Sequence, residues 1–251
     1  MRIAILTADE PLYLPYTLEP VLRRWRKKVA FVAFVSQPIG ILRRIRNFIS
    51  FLGLSPFLRL TLMSLGRELL LHKNAPLPVG NLCRQLGLQI VRVRRINGES
   101  FQKLLSEVEV DLLVSVGCPQ IIGKKLLALP RFGTINVHCA PLPKYRGLMP
   151  TFWSLALNET YNGVTVHFVN ECIDDGPIIL QRQFKIPPND SLHEALIRAK
   201  KEAGKALLEA LSFFEDGKVP QLPNPRDKAT YFSFPDRKAR KMFLSTGRRI
   251  I

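Results

Sequence analysis

An asparagine and a histidine stand two residues apart in Asn136-Val137-His138, at the end of a short apolar run. Alternate residues of a β-strand point to the same face, so both side chains would lie on one side of a sheet. An amide N–H can stabilise a developing oxyanion, and an imidazole can accept and release a proton near neutral pH. An isolated Asn-x-His motif more often caps a turn. Further polar motifs follow it here, and together they predict an acyl-transfer site.

The first of these motifs, Leu142-Pro-Lys-Tyr-Arg-Gly147, predicts a sharp turn just after the histidine. Asp174 and Asp175 follow a second apolar run, at residues 164–169. Either carboxylate could hold the imidazole in one tautomer and stabilise its cation, although Asp175 could instead cap the following turn. His167 lies inside the run, and we interpret it as a packed or hydrogen-bonded neighbour rather than a catalyst.

Short apolar runs rich in β-branched residues recur along the chain, and helical stretches separate most of them. The runs are residues 3–6, 29–35, 88–93, 112–116, 134–137 and 164–169, and the helical stretches include residues 100–108, 122–129 and 192–214. This alternation predicts an α/β fold with an open, mostly parallel twisted sheet and helices on both faces. In such sheets ligands bind beyond the carboxyl ends of the strands, where the Asn-x-His motif falls.

The chain has 251 residues, of which 47% are hydrophobic, so it can bury a complete core. Its formal net charge of +17 favours an anionic partner, such as nucleic acid, acidic lipid or a phosphorylated substrate. The four cysteines are scattered, without a CxxC pair or zinc-ligand spacing, so we expect neither a disulfide framework nor a metal. Met1-Arg-Ile-Ala-Ile-Leu6 indicates a buried strand rather than a signal peptide, and we expect a cytoplasmic protein.

Two segments depart from the alternation of strands and helices. Residues 41–72 are apolar and basic at helical spacing, but Pro56 and Arg59 interrupt them, so we do not expect them to span a bilayer. They could lie on the inner membrane surface, face a partner or belong to the core. We therefore predict a catalytic domain at residues 1–215 with a basic amphipathic insertion at about residues 41–72, followed by a short basic tail at residues 216–251.

These motifs resemble the folate-dependent formyltransferases, which share an Asn-x-His, a Leu-Pro-x-x-x-Gly turn and a downstream Asp-x-Gly loop. The resemblance covers residues 111–211. It implies that Asn136 stabilises the oxyanion and that His138 acts as general acid or base. It further implies that Asp174, rather than Asp175, orients this histidine and relays a proton through water. The implied formyl donor is 10-formyltetrahydrofolate, and no metal is implied.

The same resemblance predicts where the donor binds. In this family the pterin lies along two loops and is held largely through main-chain contacts. The corresponding residues are Val116, Gly117, Cys118, Pro119, Gln120, Ile121 and Ile122 in the first loop and Val169, Asn170 and Ile173 in the second.

Three features of the sequence bear on the acceptor of the formyl group. Residues 7–15 contain no glycine, whereas the purine enzyme of the family binds its phosphate on a glycine-rich loop there, so glycinamide ribonucleotide is disfavoured. The segments Pro150-Thr-Phe-Trp-Ser-Leu155 and Ala229-Thr-Tyr-Phe-Ser-Phe-Pro235 look more like the amino-sugar enzymes. Too few residues follow the last predicted helix for the C-terminal barrel of the transfer RNA enzyme.

We therefore predict an N-formyltransferase that acts on a primary amine of an amino sugar carried by a nucleotide or lipid phosphate. One alternative is a methionyl-tRNA formyltransferase, with transfer RNA as partner. The other is a catalytically idle basic protein that binds membrane or nucleic acid. The net charge of +17 is compatible with all three.

Overall fold

The computed structural model of the protein describes residues 1–69 and 75–251. Its strands are β1 (Ile3–Thr7), β2 (Val29–Val35), β3 (Ile90–Val93), β4 (Leu112–Val116), β5 (Thr134–His138), β6 (Arg146–Gly147), β7 (Tyr161–Phe168), β8 (Ile178–Lys185) and β9 (Tyr231–Phe232). Its helices are α1 (Leu14–Trp25), α2 (Ile41–Leu52), α3 (Leu54–Glu68), α4 (Val79–Leu86), α5 (Glu99–Glu107), α6 (Lys124–Leu127), α7 (Pro150–Ala156), α8 (Leu192–Glu215) and α9 (Arg237–Ser245).

Seven strands form one sheet in the order β3-β2-β1-β4-β5-β7-β8. The first five of this order run parallel, whereas β7 is antiparallel to both of its neighbours. Helices α1, α4 and α8 pack on one face of the sheet, and α5 and α6 pack on the other. The predicted α/β fold, with an open, mostly parallel sheet and helices on both faces, is confirmed.

Strand β8 was not predicted from the sequence. Its residues, Ile178-Ile-Leu-Gln-Arg-Gln-Phe-Lys185, become more exposed toward the end of the strand, as expected at a sheet edge. Polar residues therefore interrupt the apolar run that identified the other strands. The loop between β7 and β8 is short enough to make an antiparallel hairpin rather than a parallel crossover.

Apolar clusters fill the two faces of the sheet, and a third apolar cluster lies apart from them. This third apolar cluster unites parts of the chain that are far apart in sequence. It contains Phe51 at the end of α2, Phe152 of α7 and Phe243 of α9, with Leu192 at the start of α8. The segment at residues 41–72 thus forms two helices, α2 and α3, and its residues 70–72 lie outside the described residues. Gly53 separates the helices with a φ of 87°, a conformation that favours glycine.

Candidate functional site

Asn136 and His138 lie on the same face of β5, as their spacing predicted. Antiparallel β7 places His167 directly opposite Asn136 and Thr165 directly opposite His138. Because directly opposite residues of an antiparallel pair point to the same face, the four side chains form one polar group on the sheet. The two histidines are buried, and Asn136 is partly exposed.

His138 is held by a carbonyl and a carboxylate. Its Nε2 lies 2.8 Å from the Tyr145 carbonyl oxygen, and its Nδ1 lies 3.5 Å from Asp174 Oδ2. A carbonyl oxygen only accepts hydrogen bonds, so Nε2 carries the proton in the neutral ring. Protonation would then add an N–H at Nδ1, facing the Asp174 carboxylate. This geometry stabilises an imidazolium at the moment it forms.

Asp174 reaches His138 because the loop after β7 folds back over the sheet face. Its Oδ2 accepts a hydrogen bond of 2.8 Å from the Gly147 backbone N–H, and its Oδ1 lies 3.6 Å from His167 Nε2. Asp174 has a φ of 49°, and Tyr145 and Met149, on the turn after β5, also have positive φ values. Strained backbone of this kind concentrates at functional sites.

Gly147 holds this turn in place. Its φ of 96° favours glycine, and a Cβ at this position would collide with the Phe232 carbonyl oxygen of β9, which pairs with β6. Gly147, which the sequence identified as part of a turn, therefore also lets the C-terminal segment approach. The Gly147 N–H remains directed at Asp174.

Asn136 is oriented by His167. The Asn136 Nδ2 lies 3.2 Å from His167 Nε2, while His167 Nδ1 lies 2.7 Å from the Phe168 carbonyl oxygen. Since that carbonyl accepts a proton from Nδ1, Nε2 is left to accept one N–H of the Asn136 amide. The second amide N–H remains available as a donor. His167 is thus the hydrogen-bonded neighbour that the sequence predicted, and it positions a candidate catalytic group.

Burial and mutual electrostatic interaction set the charge states of His138 and Asp174. Burial lowers the pKa of His138, and the Asp174 carboxylate and the Tyr145 carbonyl oppose that shift. Burial alone would raise the pKa of Asp174, but the nearby imidazoles of His138 and His167 and the Gly147 N–H outweigh it and hold the pKa at about 2. Near neutral pH the resting site therefore pairs a neutral imidazole with a carboxylate.

Asp175 points away from His138 and does not serve as its partner. Its carboxylate is bound by Arg146, with an Nη1 to Oδ1 distance of 2.5 Å, and by Arg226, with an Nη2 to Oδ2 distance of 2.6 Å. The side chain of Asn224 donates to the carbonyls of Asp174 and Gly176. Residues of the C-terminal segment thus fix the loop that carries Asp174.

The ion pairs of Asp175 with Arg146 and Arg226 predict how the stability of the fold depends on pH. Hydrogen bonding to Arg226, supported by Arg146, lowers the pKa of Asp175 from 3.8 to about 2. A carboxylate with a lowered folded-state pKa stabilises the fold above its unfolded pKa and loses that effect as pH falls through the folded pKa. Arg226→Gln should therefore lower Tm at pH 6, and the difference from the wild type should shrink between pH 4 and pH 2.

Thermal unfolding followed by circular dichroism across this pH range checks the prediction. Arg237→Gln is the matched control, because Arg237 is an exposed arginine of the same segment that forms no ion pair within the described residues. A Tm difference for Arg226→Gln that stayed constant from pH 6 to pH 2 would show that the stabilisation does not depend on an ionised Asp175 carboxylate.

The first predicted donor loop lies beside Asn136, because Ser115 of β4 pairs with Asn136 of β5. Val116 and Ile122 are buried, Gly117 has a φ of 64°, and Ile121 is 69% exposed. The Gln120 side chain donates to the carbonyls of Ser36 and Arg94 and accepts from the Ile96 N–H. It ties the loop to the ends of β2 and β3 instead of offering its amide to a ligand.

Two other positions of this loop have defined environments. The Cys118 thiol is largely buried, which raises its pKa to about 11, and it contacts the Gln120 carbonyl. It is therefore a poor nucleophile. Pro119 lies between Cys118 and Gln120 and has no N–H to donate.

The second predicted donor loop contains Val169, Asn170 and Ile173. The Val169 N–H bonds the Thr134 carbonyl, which continues the pairing of β7 with β5. The Asn170 side chain accepts from the Cys172 N–H, a local turn contact, and Ile173 is 42% exposed. Ile121 and Ile173 therefore supply exposed apolar side chains, one on each loop.

Sequence reasoning missed three contributors to the site. The Tyr145 carbonyl, Asn224 and Arg226 give no chemical signal in the sequence, since one is a backbone group and the others lie about fifty residues beyond the loop they hold. His167 had a signal, because Thr165 and His167 place polar residues at strand period 2. Within residues 1–69 and 75–251, no three His, Cys, Asp or Glu side chains gather as a metal-binding group.

Comparison with known proteins places this site in context. Residues 64–211, more than half of the chain, match the sequence model of the family described as Formyl transferase. A methionyl-tRNA formyltransferase from Halothermothrix orenii is 35% identical over 170 residues, which cover 66% of this chain and 53% of that protein. The chain spans about half the length of the curated relatives it matches.

Two solved structures show the same fold. An N-formyltransferase from Helicobacter canadensis, in complex with folinic acid and dTDP-3-aminofucose, has a TM-score of 0.60 and 16% identity over 93% of this chain and 71% of that chain. Glycinamide ribonucleotide transformylase 1 from Symbiobacterium toebii has a TM-score of 0.62 and 19% identity over 88% of this chain and 94% of that chain. Identities this low establish shared architecture only.

Proposed function

Because this chain belongs to the formyl transferase family, we propose that it is an N-formyltransferase that uses 10-formyltetrahydrofolate to formylate the primary amine of a phosphate-linked amino sugar. The observation that carries the proposal is the group formed by Asn136, His138 and Asp174, with His167 behind it. This group supplies an oxyanion donor, a titratable base and a carboxylate that supports it.

Each side chain has a defined task in the proposed reaction. The donor supplies an electrophilic formyl carbonyl, and the acceptor amine forms a new C–N bond to its carbon. Asn136, held by His167, donates its second N–H to the carbonyl oxygen as that oxygen gains negative charge. The bond to the folate nitrogen then breaks, and the products are a formamide and tetrahydrofolate.

His138 and Asp174 manage the protons of this transfer. His138 Nδ1 takes up the proton released by the amine, through Asp174 and a water, and the carboxylate stabilises the resulting imidazolium. His138 Nε2–H delivers a proton to the departing nitrogen. In the resting structure this N–H bonds the Tyr145 carbonyl, so the ring must exchange that partner for the reacting atoms.

The pterin of the proposed donor is a flat heterocycle with a polar edge, and the predicted donor loops offer apolar side chains to its faces. Ile121 and Ile173 expose apolar side chains, one on each loop, and the first loop follows the strand next to Asn136. Apolar walls with a few polar groups are typical of cofactor sites. We propose that residues 116–122 and residues 169, 170 and 173 hold the folate in this way.

An aromatic cluster supports an amino-sugar acceptor. The Trp153 and Phe232 rings stack with centroids 4.7 Å apart, and Phe232 stacks on Tyr145 at 5.6 Å. Trp153 and Phe232 belong to the two segments that resemble the amino-sugar enzymes, and Tyr145 lies on the turn that contacts His138. Both segments therefore meet next to the proposed reaction centre.

The N-terminus of α1 argues against glycinamide ribonucleotide. The Glu10 carboxylate accepts the backbone N–H groups of Leu12, Tyr13 and Leu14 at 2.6, 2.8 and 3.0 Å. A helix N-terminus binds phosphate through such amides, and here a protein carboxylate already occupies them. An anion at this place would have to displace Glu10.

The salt dependence of the reaction should distinguish the amino sugar from transfer RNA. A macromolecular polyanion releases counterions when arginines and lysines contact its phosphates, so its binding weakens steeply as salt rises. We expect formyl transfer to dTDP-3-aminofucose or a similar nucleotide-linked amino sugar, with a KM that changes little from 50 to 200 mM salt. Turnover of methionyl initiator tRNA alone, with a KM rising on the order of 10³-fold over this range, would favour the transfer RNA reaction.

Calorimetry with 5-formyltetrahydrofolate, a stable analogue of the donor, tests the folate site independently of the acceptor. Saturable binding would support the proposal and justify the acceptor assays. Absence of binding across several salt concentrations would contradict it and favour the catalytically idle protein.

A further inference from the structure

The outward face of α3 carries a row of leucines. Leu54, Leu58, Leu62 and Leu65 of the helix, and Leu69 just after it, follow one another at intervals of three or four residues. That spacing places them on a single face. Their exposed fractions range from 51% to 69%. Soluble proteins rarely leave so continuous an apolar surface uncovered, so this face is a candidate contact surface.

The inward face of α3 contacts the rest of the fold through partly buried apolar side chains and one buried arginine, so the helix is anchored to the protein. Phe57 and Leu60 pack against the third apolar cluster, next to Phe51. Near the end of the helix the buried Arg67 guanidinium donates to the carbonyls of Leu12 and Pro11. The helix thus has two apolar faces, one used by the fold and one directed outward.

Positive charge accompanies the exposed leucines. Helices α2 and α3 contain five arginines, no lysine and one acidic residue, Glu68 at the end of α3. Arg43, Arg46 and Arg59 are exposed, and within the described part of the chain none of them forms an ion pair. On α2 these charges alternate with exposed apolar side chains, including Leu42, which is 80% exposed.

We propose that α2 and α3 form a docking surface for a membrane that contains anionic phospholipids. Leucines of α3 would enter the boundary between headgroups and acyl chains, and the arginines would bind lipid phosphates. The proposed contact is peripheral. No helix within residues 1–69 and 75–251 has the length and apolarity needed to span a bilayer.

Two other occupants fit these observations less well. A second copy bound through a two-fold interface would bring the arginines of both copies into one contact, with Glu68 as the one acidic residue of α2 and α3 to offset them. A nucleic acid would neutralise the arginines but leave the leucines in water. A bilayer surface accommodates both kinds of side chain.

Vesicle flotation with the full chain tests the proposal, and it needs no substrate, so its result is independent of the proposed reaction. We expect the wild type to float with vesicles of phosphatidylglycerol and phosphatidylcholine, but not with phosphatidylcholine alone. Leu58→Glu/Leu62→Glu should reduce binding at least about tenfold, because it removes apolar contacts and adds repulsion from the anionic headgroups. Leu157→Glu, at a 48%-exposed leucine after α7, should float like the wild type.

Arg43→Gln/Arg46→Gln provides a second test should the leucine variant fail to fold, as judged by circular dichroism. It should bind more weakly, and its binding should depend less on salt. Absence of wild-type flotation at low salt would overturn the proposal, as would equal flotation of the wild type and the folded leucine variant. Sedimentation velocity adds one more outcome: a wild-type dimer that the leucine variant makes monomeric, without vesicle binding, would assign the surface to a second copy.

Discussion

His138→Ala should reduce kcat/KM for formyl transfer by about 10²–10⁴-fold, the range associated with loss of a positioned acid–base group. The substitution removes the ring that faces Asp174 at Nδ1 and bonds the Tyr145 carbonyl at Nε2. Steady-state assays with 10-formyltetrahydrofolate and the preferred acceptor measure the effect. Binding of 5-formyltetrahydrofolate should persist, because the predicted donor loops are separate from this side chain.

His193→Ala is the matched control for this variant. His193 is a partly buried histidine whose pKa is likewise lowered by burial, but it bonds Tyr13 and contacts none of the site residues described above. We expect it to retain formyl transfer close to that of the wild type. Near-normal kcat/KM for a folded His138→Ala protein would show that the proposed proton transfer is wrong.

Asp174→Asn should lower the maximal rate by about 10²-fold or more, because the imidazolium that forms during transfer loses its carboxylate partner. The carboxylate opposes the effect of burial on His138 and raises its pKa, so its removal should lower that pKa further. The acidic limb of the kcat/KM profile should then move to lower pH. A pH-rate series for the wild type and the variant measures both changes.

The matched control for Asp174→Asn is Asp190→Asn, which removes another buried carboxylate, one that pairs with Arg198. We expect it to change Tm more than the pH profile. If the acidic limb moved to higher pH in Asp174→Asn, the predicted direction of the effect of Asp174 on the His138 pKa would be wrong. An unchanged rate would show that Asp174 has no part in the mechanism.

The sequence alone determined the fold class and predicted which polar residues form the candidate site. Parallel strands buried on both faces are short, apolar and β-branched, so their pattern is local and readable. The spacing of Asn136 and His138 fixed their common face, because strand geometry has a period of two. Strand β8 lacked such a signal, because an exposed edge strand tolerates polar residues.

Only the tertiary structure decided which groups meet. Asp174 and Asp175 are adjacent and chemically alike, yet one faces His138 and the other is clamped by Arg146 and Arg226. That choice depends on the backbone path of one loop and on a segment about fifty residues further along the chain. His167 likewise reaches Asn136 only because β7 runs antiparallel to β5.

The same limit applies to α3, which has two apolar faces in its sequence. Helical periodicity identifies both the row with Phe57 and Leu60 and the row with Leu54, Leu58 and Leu62, but it cannot say which one the core covers. Helix α7, helix α9 and the end of α2 decide this, because together they form the cluster that receives Phe57 and Leu60. Local sequence sets the shape and polarity of an element, and contacts between distant elements set which of its faces remains exposed.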